Sequence, residues 1–195
     1  MGLLYEDVAR IALDIDSTLH HYWDLLQRIV RERYAIDLPY EEQRDWGITA
    51  IERDALIHCV EETHSDENIA AGVPYPGAVE AVRAWHGHGH WIHVTSHRRR
   101  ATAGATAAWL ESIGMPFDDL YCSFDKVSRC VELGIHVLVD DSPVNIVRAR
   151  DAGIVPATIV HPWNEELVDS DGVIGARDWG GLREKLDPVL ERIGR

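Results

Sequence analysis

The sequence predicts an α/β protein: an open, mainly parallel sheet with helices on both faces. Two observations carry this. Short apolar runs of strand length alternate with segments of helical spacing along most of the chain, which is the pattern of strand–helix–strand units. The 195 residues are 46% hydrophobic, enough for one domain with a sizeable core and room for a small insertion.

Taken in order, Val8 to Leu13 is a short apolar run that fits a buried parallel strand. "HYWDLLQRIVRERY" places Trp23, Leu26, Ile29 and Val30 on one helical face. Residues 35–73 are polar, helical and uneven in pattern. "PYPGAVEAVRAWHGHGH" reads as a turn, a helix and a glycine-rich stop, and "WIHVTS" as a strand. "RATAGATAAWLESIG" is a helix that stops at Gly114, ahead of Met115 and Pro116. "DLYCS" is a short strand and "KVSRCVELG" a short helix. "IHVLVDD" is a strand, "PVNIVRARDAG" a helix and "VPATIV" a strand. "DWGGLREKLDPVLERI" closes as an amphipathic helix. No internal repeat is present.

Charge narrows the partners. Thirty-three acidic residues against 19 basic give a net charge of −14. That argues against a nucleic-acid polymer or an anionic membrane surface, and leaves a small anion in a locally positive pocket. "MGLLYEDVAR" lacks the basic start and apolar run of a signal peptide, and Glu6 stands where myristoylation wants Ser or Thr. No run approaches membrane-spanning length. Cys59, Cys122 and Cys130 are odd in number and not in CxxC spacing, so reduced thiols and a cytoplasmic location are expected. Oligomeric state is left open.

In such sheets ligands sit at the carboxyl ends of the strands. The first run, "RIALDIDSTLH", ends in Asp14 and Asp16. A buried carboxylate is costly without a partner, so this pair either caps the next helix or holds a cation and does chemistry. The other strand ends decide between the two. The second ends in Thr95 and Ser96, Lys126 follows the third, and the fourth ends in Asp140 and Asp141. Four acids, a hydroxyl and an ammonium converge on one rim. Clustered carboxylates repel without a counter-ion, and hard oxygen donors favour Mg²⁺. Asp14 could then attack phosphorus, and Asp16 could exchange protons with the leaving oxygen and with water. Thr95 could hydrogen-bond a phosphoryl oxygen, and Lys126 could balance its charge.

"DIDST", strand-terminal "VTS", Lys126 and "VLVDDSP" resemble, in order, the four motifs of the haloacid dehalogenase (HAD) superfamily, over about Ile11 to Val160. The resemblance implies a Rossmannoid three-layer sandwich with a small helical cap. It implies Asp14 as nucleophile, Asp16 as acid/base, Thr95 as phosphate-binding hydroxyl and Lys126 as stabilising cation. It also implies Mg²⁺ held by Asp14, the backbone carbonyl of Asp16 and Asp141, with Asp140 acting through water. A second acid at position 16 resembles the phosphatases of the superfamily and not its dehalogenases. The short insertion, "PYPGAVEAVRAW", "VTSHR" and "VDDSPVNI" are most similar to the 5′(3′)-deoxyribonucleotidase branch, which usually carries Gly where this chain has Ser17. That branch implies a nucleoside monophosphate as substrate.

The expected division is a catalytic core of residues 1–19 and 74–195, with a cap of residues 20–73 choosing the leaving group. The cap carries Tyr22, Trp23, Tyr34, Tyr40 and Trp46, of which Tyr22 and Trp23 lie nearest the nucleophile loop. Each could stack a base or simply pack the cap. Ser96, His97 and Arg98 open a basic run at a strand end and could bind an anionic substrate; solvated surface charge is the alternative. "HGHGH" alternates three histidines, as a metal site or as a helix-stop turn. The function expected is a Mg²⁺-dependent phosphomonoesterase, with a nucleotidase as the best substrate reading. A phosphosugar or phosphoserine phosphatase, and a non-catalytic phosphate-binding module of the same fold, are the alternatives.

Overall fold

The computed structural model describes residues 8–123, 125–168 and 172–194. The expectations for residues 1–7, on signal peptide and acylation, lie outside these. Six strands form one wholly parallel sheet: β1 (Arg10–Asp14), β2 (Trp91–Ser96), β3 (Asp119–Cys122), β4 (Val137–Val139), β5 (Val155–Ile159) and β6 (Ile174–Ala176). Their order is β3-β2-β1-β4-β5-β6. The chain first builds outward from β1 in one direction, then returns to β4 on its other side. The order therefore reverses between β1 and β4, and ligand crevices form at such a reversal.

Helices α4 (Ala78–Gly87), α5 (Ala103–Ser112), α6 (Lys126–Glu132), α7 (Pro143–Asp151) and α8 (Trp179–Ile193) connect and flank the strands. β1 is buried along nearly its whole length, which explains its unbroken apolar reading. One large core joins β1, β2, β4 and β5 to α4, α5 and α8 around Ile11, Leu13, Trp85, Trp109, Trp179 and Leu186. A smaller cluster fills the other side of the sheet around Ala12, Val127, Cys130, Leu138 and Ala149.

Between β1 and α4 lie α1 (Tyr22–Tyr34), a 3₁₀ turn (Tyr40–Glu42), α2 (Arg53–Thr63) and the short α3 (Asp66–Ala70). Its buried residues Tyr22, Trp23, Leu26, Ile29, Val30, Leu38 and Cys59 form a third apolar cluster. Trp163, from beyond β5, joins that cluster. Among the described residues no helix is long and apolar enough to cross a membrane.

Two details depart from the sequence reading, in β6 and at the end of the fourth strand. β6 went unread, because three residues carry too little periodicity to recognise. The fourth strand stops at Val139, so Asp140 and Asp141 stand beyond its end. Of the two readings of "HGHGH", the structure shows the helix end and turn: α4 closes at Gly87, Gly89 has φ +89°, and the His90 Nδ1 accepts the Ala9 N–H at 3.1 Å. The three cysteines are buried and unbridged.

Candidate active site

Sheet register assembles the rim. Asp14 pairs with Thr95, and Leu13 pairs with Val139. Asp14 is therefore flanked by Thr95 on one side and by Asp140 and Asp141 on the other. Asp14, Asp140 and Asp141 are buried, and each offers an oxygen within 4.8 Å of the other two. Lys126, the first residue of α6, is 2% exposed. Its Nζ donates to Asp14 and, at 3.2 Å, to Asp140. A fully buried lysine survives only because it faces two carboxylates.

One ammonium does not balance three carboxylates. Burial pushes the Asp14 carboxyl up to about 7, with Lys126 opposing and Asp140 and Asp16 adding to the rise. Burial, then Asp14 and Asp140, push Asp141 well above the usual carboxylate range. The lysine is driven the other way: burial opposes its charge, but Asp14 and Asp140 raise its pKa. Excess negative charge on hard, buried oxygens is the donor chemistry that suits a Mg²⁺ ion. Asp140 is the most heavily bonded of the three. It accepts from both Lys126 and the Asn145 amide (3.1 Å to each oxygen), and from the Ser142 N–H at 2.9 Å. Asp141 Oδ2 accepts the Trp163 indole N–H at 3.0 Å. On the other flank, the Thr95 Oγ1 is fully buried and has no hydrogen-bond partner within the protein. A buried hydroxyl without a partner is costly, so a ligand oxygen is the natural acceptor.

The segment after β1 makes a tight turn. The amides of Thr18, Leu19 and His20 all donate to the Ile15 carbonyl, and the Ser17 N–H donates to the His20 carbonyl at 3.0 Å. Ser17 is held at φ +62°, a conformation that costs a residue with a side chain about 1 kcal/mol. This turn points Asp16 toward the β2 side. There the guanidinium of Arg98 forks onto both carboxylate oxygens, Nη2 at 2.7 Å and Nε at 3.3 Å. His20 and His64 each bring Nε2 to 3.5 Å of the same carboxylate. Burial works to raise the Asp16 pKa, but Arg98, then His64 and His20, outweigh it and hold the group well below its ordinary range.

Asp14, Thr95, Lys126, Asp140 and Asp141 thus meet at one point, with Asp16 beside them. Arg98 is not an outward-facing anion receptor. It is 2% exposed, pinned to Asp16 and Thr106, and its guanidinium lies 5.8 Å over the Trp109 ring. The basic-run reading overlooked an acid close enough to claim it. Ser96 is buried and its Oγ accepts the Arg98 N–H at 3.1 Å, while His97 is half-buried at the rim. Tyr22 and Trp23 are 5% and 2% exposed. Their polar atoms bond inward, to Thr63 and to the Leu38 carbonyl. Of the aromatic side chains in this cluster, Trp46 is the exposed one, with rings of Tyr22, Trp23 and Trp163 within 6.0 Å.

Sequence reasoning missed the "HPWN" loop after β5. Trp163 holds Asp141. The Asn164 amide donates to the carbonyls of Asp141 (3.0 Å) and Ile159 (3.1 Å) and to Thr158 Oγ1 (2.9 Å). His161 reaches the Ser17 carbonyl. A histidine, a tryptophan and an asparagine close behind a strand were the available signal. A cavity of about 360 Å³ lies beside this loop, walled by His21, Trp23, Tyr40, Tyr75, His161 and Trp179 among others, and includes none of the rim acids.

No family model matches the chain. It is 28% identical over 156 residues to a protein of Chlorobaculum tepidum named "Putative 5'(3')-deoxyribonucleotidase", covering 74% of this chain and 75% of that one. Among solved structures it is similar to a HAD family hydrolase from Deinococcus radiodurans with bound phosphate and sodium (TM-score 0.64, 16% identity, 97% of each chain). It is also similar to a "predicted phosphoglycolate phosphatase" from Haemophilus somnus (TM-score 0.62, 14% identity, 95% of this chain and 99% of that one). The architecture is therefore the HAD-type Rossmannoid α/β fold.

Proposed function

We propose that this protein, with the fold of the HAD hydrolases and the residues of all four of their motifs gathered on one rim, is a Mg²⁺-dependent phosphoric monoester hydrolase. The single observation that carries the reading is the rim itself. Three buried carboxylates cluster around one lysine that pairs with two of them, beside a buried threonine hydroxyl that lacks a protein partner. Asp14 and Asp141, with the backbone carbonyl of Asp16, would hold Mg²⁺, and Asp140 would support them. The ion, when bound, neutralises the carboxylates and draws charge from the phosphoryl oxygens.

Each residue then has a task. Asp14 attacks phosphorus and forms an aspartyl-phosphate, as the alcohol of the substrate leaves. Thr95 donates to a phosphoryl oxygen, and Lys126 stabilises the charge that develops there. Asp16 protonates the leaving oxygen and then takes a proton from the attacking water. The Arg98 fork favours the ionised carboxylate, which suits the second step. The first requires the substrate to loosen that fork.

A nucleoside monophosphate is the substrate we favour. Its support is the 28% identical relative named as a deoxyribonucleotidase, together with the exposed Trp46 ring, which packs on the Trp163 ring that holds Asp141. A smaller phosphomonoester is the second reading, favoured by the burial of Tyr22 and Trp23, the two rings nearest the nucleophile loop. Phosphate release measured across nucleotides, sugar phosphates and amino-acid phosphates, with and without Mg²⁺, tests both. Turnover of nucleoside monophosphates above the rest supports the nucleotidase. Phosphate release from none of them would remove the enzymatic reading.

A further inference from the structure

The turn that carries Asp16 is anchored from outside. The imidazole of His161, 3% exposed, places Nε2 2.6 Å from the Ser17 carbonyl oxygen and Nδ1 2.7 Å from the hydroxyl of Tyr40. A carbonyl can only accept, so Nε2 carries the proton. Nδ1 of the neutral ring then has only a lone pair, so Tyr40 donates to it. Burial keeps the imidazole neutral, with its pKa lowered to about 4, and raises the Tyr40 phenol to about 12. The proton order is therefore single-valued: Tyr40 O–H to His161 Nδ1, His161 Nε2–H to Ser17 C=O. The ring is also clamped flat against Trp163 (4.5 Å, 5° between planes), and the His161 amide donates to the Asn164 side chain. Its acceptor, Ser17, is the turn residue at positive φ.

We propose that His161 and Tyr40 form a positioning relay that holds the strained Ser17 turn, and with it Asp14 and Asp16, in working geometry. Tyr40 belongs to the segment between β1 and α4, whereas His161 belongs to the sheet end. The relay therefore couples the placement of that segment to the nucleophile loop. Glycine at position 17 would adopt this φ unaided; serine gains from being held. The kinetic consequence rests on the phosphatase reading, but the mechanical one does not.

The test uses Tyr40→Phe, His161→Phe and His161→Gln in the whole chain, with two readouts. Amide hydrogen exchange reports the turn directly, through Thr18, Leu19 and His20. Loss of one hydrogen bond predicts about tenfold faster exchange in His161→Phe and a smaller rise in Tyr40→Phe. His161→Gln keeps a donor for Ser17 and stays within about threefold of wild type. On whichever phosphomonoester the wild type hydrolyses, kcat falls about tenfold in His161→Phe with KM changed less than twofold, and His161→Gln recovers most of it. Unchanged exchange in both phenylalanine variants overturns the relay. So does an equal loss in Gln and Phe, since that makes His161 a packing residue. If His161→Phe does not fold, the half-buried Tyr40→Phe decides. If the wild type hydrolyses nothing, the phosphatase reading falls and the exchange data still judge the relay.

Discussion

Asp16 and Arg98 show how much one contact changes a residue's meaning. From sequence, Asp16 is a catalytic acid and Arg98 a surface cation near phosphate. In the fold they are one forked ion pair, with Arg98 buried and Asp16 partly so. Removing one partner of such a pair leaves the other charge without compensation. Arg98→Met should therefore cost about 1–3 kcal/mol of stability, less than for a fully dry pair because Asp16 keeps 16% of its side chain exposed. Asp16→Asn in the same chain should recover part of that loss. Denaturant melts of the two single variants and the double variant measure the coupling; simple additivity would mean the pair is not coupled.

The aromatic residues carry a second residue-scale prediction. Trp23 is 2% exposed, so Trp23→Ala should cost about 3–5 kcal/mol and lower turnover of all substrates alike. Trp46 is 37% exposed and leaves the packed cluster largely intact when truncated. Trp46→Ala should lower kcat/KM for the best nucleotide about tenfold more than for a small aryl phosphate, as base–aromatic stacking is worth about 1–3 kcal/mol. Parallel losses on both substrates would deny Trp46 a role in reading the leaving group.

At the scale of elements, strands β1 to β5 and the helices of the core were legible, because buried parallel strands are continuous apolar runs and their helices are long enough to show a period. The convergence of Asp14, Thr95, Lys126, Asp140 and Asp141 was legible too, since each lies at or just past the carboxyl end of a strand or begins the following helix. What was not legible lies in irregular backbone. The His161–Asn164 loop has no period, and the contacts that tie it to Ser17 and Asp141 span 22 to 144 residues of sequence. Arg98 was misread for the same reason, since its partner is 82 residues away. The loop makes its own prediction. Trp163→Phe keeps the ring packing but removes the N–H that orients Asp141. The Mg²⁺ concentration for half-maximal activity should rise about tenfold. An unchanged metal requirement would show that Asp141 is held without it.

Across the whole molecule, buried neutral histidines are groups that weaken the fold in acid. The His161 pKa is lowered to about 4 from an ordinary 6.5, and burial lowers His93 as well. Such a group binds its proton more readily in the unfolded chain. Its contribution to stability is complete above about pH 6.5 and is lost as pH falls from there toward 4. Asp14 and Asp141, both raised by burial, take up protons in the same window and act in the opposite sense. The test is therefore a difference: as pH falls from about 6.5 toward 4, the melting temperature of the wild type should drop relative to that of His161→Phe, where one of the titrating rings is gone. Parallel pH profiles would mean that His161 is not held neutral by the fold.

The central claim is that Asp14 attacks phosphorus in a Mg²⁺-dependent rim. Phosphate release by wild type and Asp14→Asn, each with and without Mg²⁺, tests it most directly, with a melt to confirm that the near-isosteric variant is folded. The expected result is release by the wild type only with Mg²⁺, and a loss of about a thousandfold or more in folded Asp14→Asn, because an amide cannot form the acyl phosphate. Substantial Mg²⁺-dependent release by the folded variant would contradict the account.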